Sequence, residues 1–380
     1  MPSPEPFIEV ISTPTNLTTE HIHQWEELTK DVAISNPFFE SWSLLPAMEF
    51  LDHHQVDLLF VWNDAQRSLL LGFFPLKSRR FFSKLPLRNC VSWKHIHNYL
   101  ATPLIRKTFE SLFYDLLFDY VDKRQPYEYL LSLRDHCWHP NHEQLLKNKA
   151  KEQKRIFTFF EREQRALLNA NQDFDDYLKS SINGKRRKEY RRLRKRLADL
   201  GDLKSVCYSI NNDQQELNFF IDSFLQVEND GWKRRQGTSL LSDINHEQFV
   251  RKQFTLAAAK HKLHIQLLLL DGNPIAGISC FITKPMAYLF KIGYLETFEQ
   301  YSPGVLVALD LTEKLCAMPD VISVDSCAKE GHSMIEKLWR DKQLIVHYRI
   351  STKRLFSPTL LKGISLIKNF TSGNPSYEKY

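Results

Sequence analysis

The chain has 380 residues, 43% hydrophobic and 25% charged, which suits two or three globular domains with sizeable cores. No apolar run approaches the roughly 18 residues that would span a bilayer. The N-terminus lacks the basic flank and apolar core of a signal peptide, and six scattered cysteines form no CxxC pair; a reducing, cytoplasmic compartment is the expectation. The net charge of +6 is unevenly placed: Lys185–Arg196 holds nine basic residues and one acid, a local +8 that leaves the rest of the chain at −2.

Residues 1–20 read as an extended leader, rich in Pro, Thr and Ser. From His21 to Leu51 apolar residues recur at helical spacing, with a break at Asn36-Pro37. Val56–Trp62 and Leu69–Leu76 read as strands around a polar turn. Residues 77–103 read as irregular, Lys107–Val121 as a helix and Tyr127–Leu133 as a strand. Residues 21–150 therefore form a mixed α/β unit. At its end, His136-Cys137-Trp138-His139-Pro140-Asn141-His142 offers three imidazoles and a thiol. A structural zinc site draws four ligands from two separated pairs, so the alternative is a polar loop, and no metal is expected.

Residues 151–201 read as a connector. A strand at Arg155–Phe160 precedes an amphipathic helix whose seam runs through Tyr177, Leu178, Ile182, Tyr190, Leu193, Leu197 and Leu200. Its other face is the cationic run Lys185–Arg196, ended by Gly201. That face suits phosphates of a nucleic acid, an anionic membrane surface, a phosphorylated cofactor or acidic glycan, or solvent alone.

Residues 202–354 read as a second domain. Leu203–Ile210 is a strand, and Gln215–Asn229 and His246–Lys260 are helices. Between them, Gly231–Thr238 is a loop carrying Trp232, either a substrate wall or a packing anchor. Leu263–Leu270, Ala276–Thr283 and Met286–Tyr294 follow as strands, the first two joined by Asp271-Gly272, a strong hairpin signal. Pro303 opens a helix running to about Met318, then come a strand at Val321–Asp325, a short helix at Met334–Trp339 and a strand at Leu344–Ser351. Residues 355–380 are a tail with apolar pairs among lysines. The first half echoes the second: both read strand, polar turn, strand, with Gly72 and Gly277 in the second strands. Ala101-Thr102-Pro103-Leu104 precedes one helix as Tyr301-Ser302-Pro303-Gly304 precedes the other. Only Gly304 lacks the Cβ that would keep a diphosphate away from the backbone.

This order, with Ser181–Gly201, Trp232-Lys233, Leu270-Asp271-Gly272, Pro274-Ile275-Ala276, Lys291-x-Gly293-Tyr294, Tyr301–Gly304, Asp325 and Lys337-Leu338-Trp339, resembles the GNAT acyltransferases. Within them it resembles the CelD/BcsL type, associated with bacterial cellulose and exopolysaccharide synthesis, and is similar in layout to the Fem-type aminoacyltransferases. The phosphate loop departs from the usual pattern: Tyr301-x-x-Gly304-x-Leu306 keeps the first small residue and not the second.

The resemblance implies an α/β (α+β) fold of tandem GNAT-like domains. Each has a mixed central sheet flanked by helices; the N-terminal copy is degenerate and the C-terminal copy complete. It implies an acyl-CoA, such as acetyl-CoA, as co-substrate, held at Ser302, Gly304, Val305 and Leu306. An acceptor amine or hydroxyl, on a small molecule or glycan, would attack the thioester directly. Candidate bases are Asp325, Glu296 and Glu228, and Tyr294 is the candidate acid. Trp232, Lys291 and Lys337 are candidate substrate contacts. Two alternatives stand beside it: a Fem-like transferase using aminoacyl-tRNA, with Lys185–Arg196 on the tRNA, and a non-catalytic scaffold of the same fold.

Overall fold

The computed structural model describes residues 5–52, 55–80, 87–208, 214–354 and 357–363. In chain order the elements are β1 (Phe7–Ile11), α1 (Thr19–Thr29), α2 (Ser41–Phe50), β2 (Asp57–Trp62), β3 (Leu70–Arg80), β4 (Arg88–Ser92), β5 (Leu104–Ile105), α3 (Glu110–Lys123), β6 (Glu128–Cys137) and α4 (Pro140–Glu152). Then come β7 (Phe157–Asn169), α5 (Phe174–Ser181), α6 (Gly184–Ala198), β8 (Leu203–Cys207), α7 (Gln214–Glu228), α8 (Gly231–Arg235) and α9 (Ile244–Ala259). The last are β9 (Leu263–Leu270), β10 (Asn273–Ile282), β11 (Met286–Tyr294), α10 (Pro303–Cys316), β12 (Ser323–Asp325) and β13 (Asp341–Ser351).

The chain forms two compact units. Unit 1 takes the residues up to Leu44, His53–Glu163 and the chain from Leu344, while unit 2 takes Leu45–Asp52 and Gln164–Gln343. This differs from the linear boundaries expected above, because β13 returns to pair antiparallel with β6 of the first unit. Hydrogen bonding to a distant strand leaves no mark in local composition.

Within unit 1 the strand order is β1-β2-β3-β4-β6-β13; within unit 2 it is β8-β9-β10-β11-β12-β7. The two plans are the same. Four antiparallel strands end in a parallel pair (β4 with β6, β11 with β12), whose second strand takes one antiparallel neighbour. A parallel pair needs a crossover, supplied by α3 in one unit and α10 in the other. Each unit is thus a mixed sheet with helices, as the tandem layout predicts.

Several local expectations are corrected. The leader contains β1, paired with β2, and the first residues of α1. The stretch read as irregular contains the end of β3 and all of β4. The loop at 231–238 begins with α8. The single amphipathic stripe is two helices, α5 and α6, parted at Ile182-Asn183, where the Asn183 side chain accepts from the Arg186 N–H. Gly201 does not cap α6 in a left-handed conformation; a Cβ there would lie 2.3 Å from the Asp271 carboxylate. The echo also weakens: Gly72 makes room for Phe113 of α3, whereas Gly277 makes room for Leu267 and for Phe224 and Val227 of α7. Leu104 lies in β5, and α3 starts only at Glu110. Most of the tail lies outside the described residues.

In unit 2 one sheet face packs on α10, with Leu306, Val307, Leu311 and Leu315 against Leu268, Ile278 and Leu289. On the other face a chain of aromatic contacts links Phe224 of α7 and Phe254 of α9 to Phe281 and Phe290. Both layers bury large apolar side chains, worth roughly 1.5–3 kcal/mol each.

Candidate active site

The site in unit 2 begins with a change in pairing. β11 and β12 pair in parallel over Met286–Tyr288 and Ser323–Asp325 only. Immediately beyond, Ser279 and Cys280 of β10 face Lys291 and Leu289, so Phe290 is an extra residue on β11. Such a bulge bends its strand and ends regular pairing. From Leu289 to Tyr294 β11 keeps β10 on one side, and among the described residues no strand pairs with its other edge. Its backbone groups border an open gap whose vertex is Tyr288–Asp325.

Asp325 sits at that vertex, 1% exposed. Burial pushes its carboxyl above the ordinary carboxylate range, opposed by the Arg165 guanidinium 4.0 Å away and by the Cys327 N–H, which donates to Oδ1 at 2.8 Å. A carboxyl so placed holds a proton more readily than an exposed one.

The loop before α10 lies beside the gap. Ser302 is left-handed (φ 51°), a conformation uncommon outside Gly, Asn and Asp, and it turns the chain so that Pro303 starts the helix. At Gly304 a Cβ would stand 3.1 Å from the Tyr294 ring and 3.7 Å from Met334 Sδ. The Val305 and Leu306 N–H groups, expected as phosphate donors, already donate to the Ser302 carbonyl at 2.9 and 3.2 Å. Among the described residues nothing accepts from the Gly304 N–H. The glycine thus serves close packing on Tyr294 as well as offering a donor at a helix N-terminus.

A second cluster, only partly foreseen, borders the same strand. Gly293 lets α7 approach β11: a Cβ there would lie 2.4 Å from Glu228 Cα and 2.7 Å from the Val227 carbonyl oxygen. Lys233 Nζ donates to Glu228 Oε1 at 3.0 Å and to the Ile292 carbonyl at 2.6 Å, and the Leu240 N–H donates to Glu228 Oε2 at 2.8 Å. Burial holds the Lys233 ammonium below the usual lysine range; Glu228 opposes this and Lys291 adds to it. The His332 imidazole is also lowered, first by desolvation and further by Lys233. Lys291 and His332 therefore each lie within electrostatic reach of Lys233.

The remaining expected residues fall as follows. Glu228 is 1% exposed and committed to Lys233 and the Leu240 N–H, an arrangement that holds structure rather than a free base. Glu296 forms two hydrogen bonds with Arg235, at 2.8 and 3.0 Å, and its own N–H donates to Asp230. Tyr294 is brought against Gly304, Lys291 beside Lys233, and Lys337 is exposed in a one-turn 3-10 helix. The Trp232 side chain lies outside the described residues. Sequence reasoning quoted Trp232-Lys233 but missed Lys233, Met334 and His332. The signal for Lys233 was a lysine one turn after Glu228 between two glycines.

The basic helix is divided by its packing. Arg187 donates to the carbonyls of Leu178, Lys179 and Ile182 that end α5. Arg194 pairs with Asp310 and donates to the Leu306 carbonyl at 3.2 Å, and Arg192 pairs with Glu189. Opposite buried Leu193 and Leu197, the exposed Lys185, Lys188, Arg191 and Lys195 have no carboxylate partner among the described residues. At the zinc-like segment, His136 ends in β6, His139 caps α4 and His142 lies within it, so the stretch is strand and helix rather than loop. Among the described residues no group of three or more His, Cys, Asp and Glu side chains is placed to hold a metal, and no helix is long and apolar enough to cross a membrane.

Comparison with known proteins agrees with this geometry. Residues 184–330 match the family described as acetyltransferase (GNAT) domain. Among curated proteins no match is found. Of solved structures, FemX is similar at 10% identity, over 90% of this chain and 96% of FemX, with a TM-score of 0.56. A conserved protein of unknown function from Bacteroides thetaiotaomicron VPI-5482 is similar at 11% identity, over 91% and 100% of the two chains, with a TM-score of 0.55. L-PGS from Bacillus licheniformis is similar at 12% identity, over 92% and 97%, with a TM-score of 0.52. At these identities the likeness is one of fold.

Proposed function

We propose that the chain is an acyl-CoA-dependent acyltransferase, most simply an acetyltransferase, working in the gap between β11 and β12. The observation that carries this is the parting of those strands at a bulge, with the Gly304 loop and α10 beside the opening. The unpaired edge of β11 supplies backbone groups along which an acyl thioester can lie, and the Gly304 N–H faces its diphosphate. An acceptor amine or hydroxyl attacks the thioester carbonyl, a carbon–nitrogen or carbon–oxygen bond forms, and the carbon–sulfur bond breaks. Asp325, when ionised, takes the acceptor's proton, directly or through water, and Tyr294 protonates the departing thiolate. Lys291 and Lys337 attract anionic substrate groups, and Trp232 forms part of the acceptor wall. The CelD/BcsL-like motif order points to a sugar or cell-envelope acceptor in the cytoplasm. Acetyl-CoA should raise the melting temperature of the full chain, and Gly304→Glu should abolish the rise; no rise with any acyl-CoA would overturn the proposal.

A second reading is supported by the fold likeness to FemX and by the unpaired stripe on α6: transfer from aminoacyl-tRNA, with that stripe on the tRNA. Because Arg192 and Arg194 have carboxylate partners, the informative variant is Lys188, Arg191 and Lys195 to Ala. It should weaken tRNA binding and flatten its salt dependence; binding that ignores these changes would remove this reading.

A further inference from the structure

Unit 1 holds a cavity of about 320 Å3 whose lining includes Ile34, Ile105, Leu145, Thr102, Glu110 and His142. The loops that follow β4 and β6 contribute to it, so it lies at the carboxyl ends of a parallel strand pair, where open α/β sheets receive ligands. Its size is at the small end of small-molecule sites.

The polar groups on its wall are unfinished. His142 is 8% exposed, and its one hydrogen bond runs from Nε2 to the Tyr114 hydroxyl at 2.7 Å. Tyr114 is fully buried and has no other hydrogen-bond partner among the described residues. A buried phenol must donate its proton, so it donates to Nε2, which places the imidazole proton on Nδ1. Among the described residues Nδ1 has no hydrogen-bond partner, and it is not among the sealed, unsatisfied atoms; because His142 lines the cavity, we take Nδ1 to face it. Behind it His136, 0% exposed, stacks on the His142 ring with centroids 5.7 Å apart and fixes its plane. The Thr102 hydroxyl accepts from the Cys137 N–H at 2.8 Å and retains its own proton to donate. The Glu110 carboxylate, half-buried, has no ion-pair or hydrogen-bond partner among the described residues.

The lining also holds the His139 imidazole and the Asn141 amide; with the His142 and Thr102 donors, the Glu110 carboxylate and the apolar wall, the cavity suits a ligand with an oxygen acceptor and a cationic amine. We infer that this cavity is a binding site for a small primary amine bearing a carbonyl or carboxylate oxygen, an amino acid or amino-acid amide. Glu110 takes the ammonium, His142 Nδ1–H and Thr102 O–H take the oxygen, and Ile34, Ile105 and Leu145 enclose the side chain. The unpartnered donor and carboxylate on an otherwise largely apolar wall are the polar groups that would fix a ligand's orientation. The inference is independent of the acyl-CoA gap in unit 2.

The test is saturation-transfer NMR on the full chain with the twenty L-amino acids, their amides, acetate and ethylamine, each at millimolar concentration. At least one amino acid or amide should bind, while acetate and ethylamine alone should not. Glu110→Gln should weaken that binding about tenfold or more, the loss expected for a charge-assisted hydrogen bond. Leu145→Trp should abolish it by filling the cavity, with Ile34→Trp as the second filling variant should the first fail to fold. The acetyl-CoA shift should be unchanged in all three. No binding by any amino acid or amide overturns the inference, as does binding unaffected by Glu110→Gln, or by a folded cavity-filling variant.

Discussion

Gly293→Ala tests how the edge of β11 proposed to receive the thioester is held. The added Cβ would meet three atoms at 2.4, 2.6 and 2.7 Å: Cα and N of Glu228 and the carbonyl oxygen of Val227. All are backbone, so no rotamer change relieves the clash, and α7 must move away from the strand. Overpacking of this kind costs about 1–3 kcal/mol, and the absence of a flexible neighbour places this case near the top, about 3 kcal/mol. For a unit of this size each kcal/mol lowers Tm by roughly 2–4 °C, so a fall of about 6–12 °C is expected. Displacement of α7 also moves Glu228, the carboxylate that holds the Lys233 ammonium on the Ile292 carbonyl, so the acetyl-CoA-induced rise in Tm should shrink. The control is Gly184→Ala, where the new Cβ would meet nothing closer than an Arg187 guanidinium nitrogen at 3.8 Å; its Tm should be unchanged or slightly higher. Both are read by circular-dichroism melting. If the Gly293 variant melts within a degree or so of wild type, the close approach of α7 does not constrain β11 and the reasoning fails.

Three further outcomes are expected. Glu228→Gln leaves the Lys233 ammonium without its carboxylate and should destabilise by about 3–5 kcal/mol, whereas Glu228→Gln with Lys233→Met should recover part of that loss; equal destabilisation by both would show that the pair is not coupled. His264, 4% exposed, is held neutral, burial pushing its imidazole down to about 4. The unfolded chain takes up that proton near pH 6.5, so this contribution is complete above that pH and lost as pH falls from about 6.5 toward 4. His264→Gln should flatten the Tm–pH profile in that window, and an unchanged slope would refute the assignment. Trp339→Phe removes the indole N–H that donates to Thr312 Oγ1 at 3.0 Å and leaves a buried hydroxyl with one partner fewer. A cost of about 1 kcal/mol in urea unfolding is expected, and no change in the midpoint would count against that bond.

Much of unit 2 was legible residue by residue. Leu263–Leu270 is an unbroken apolar run because the strand is covered on both faces, and Asp271-Gly272 turns it back because Gly272 takes a positive φ. Pro303 marks the start of α10, and period alone places α3, α7 and α9. These features are short-range, and the chain states them locally. Asp325, Tyr294 and Gly304 were read as a set because their order resembles a known acyltransferase plan; Asp325 ends the β11–β12 pairing and Tyr294 packs on Gly304.

What the tertiary structure alone decided is long-range. β1 is a strand because β2 offers it an edge, and β13 belongs with β6 although unit 2 lies between them in sequence. The bulge at Phe290 that opens the gap is a property of register, invisible in a run of apolar residues. The charge run at Lys185–Arg196 read as one surface, yet Asp310 and the Leu306 carbonyl, distant in sequence, occupy Arg194, while nearby Glu189 and the carbonyls ending α5 occupy Arg192 and Arg187, leaving a narrower stripe. Glu228, chosen as a base from residue type, is bound by Lys233 and a backbone N–H. Residue type states what a side chain can do; only the partners brought by folding determine which of those options remain open.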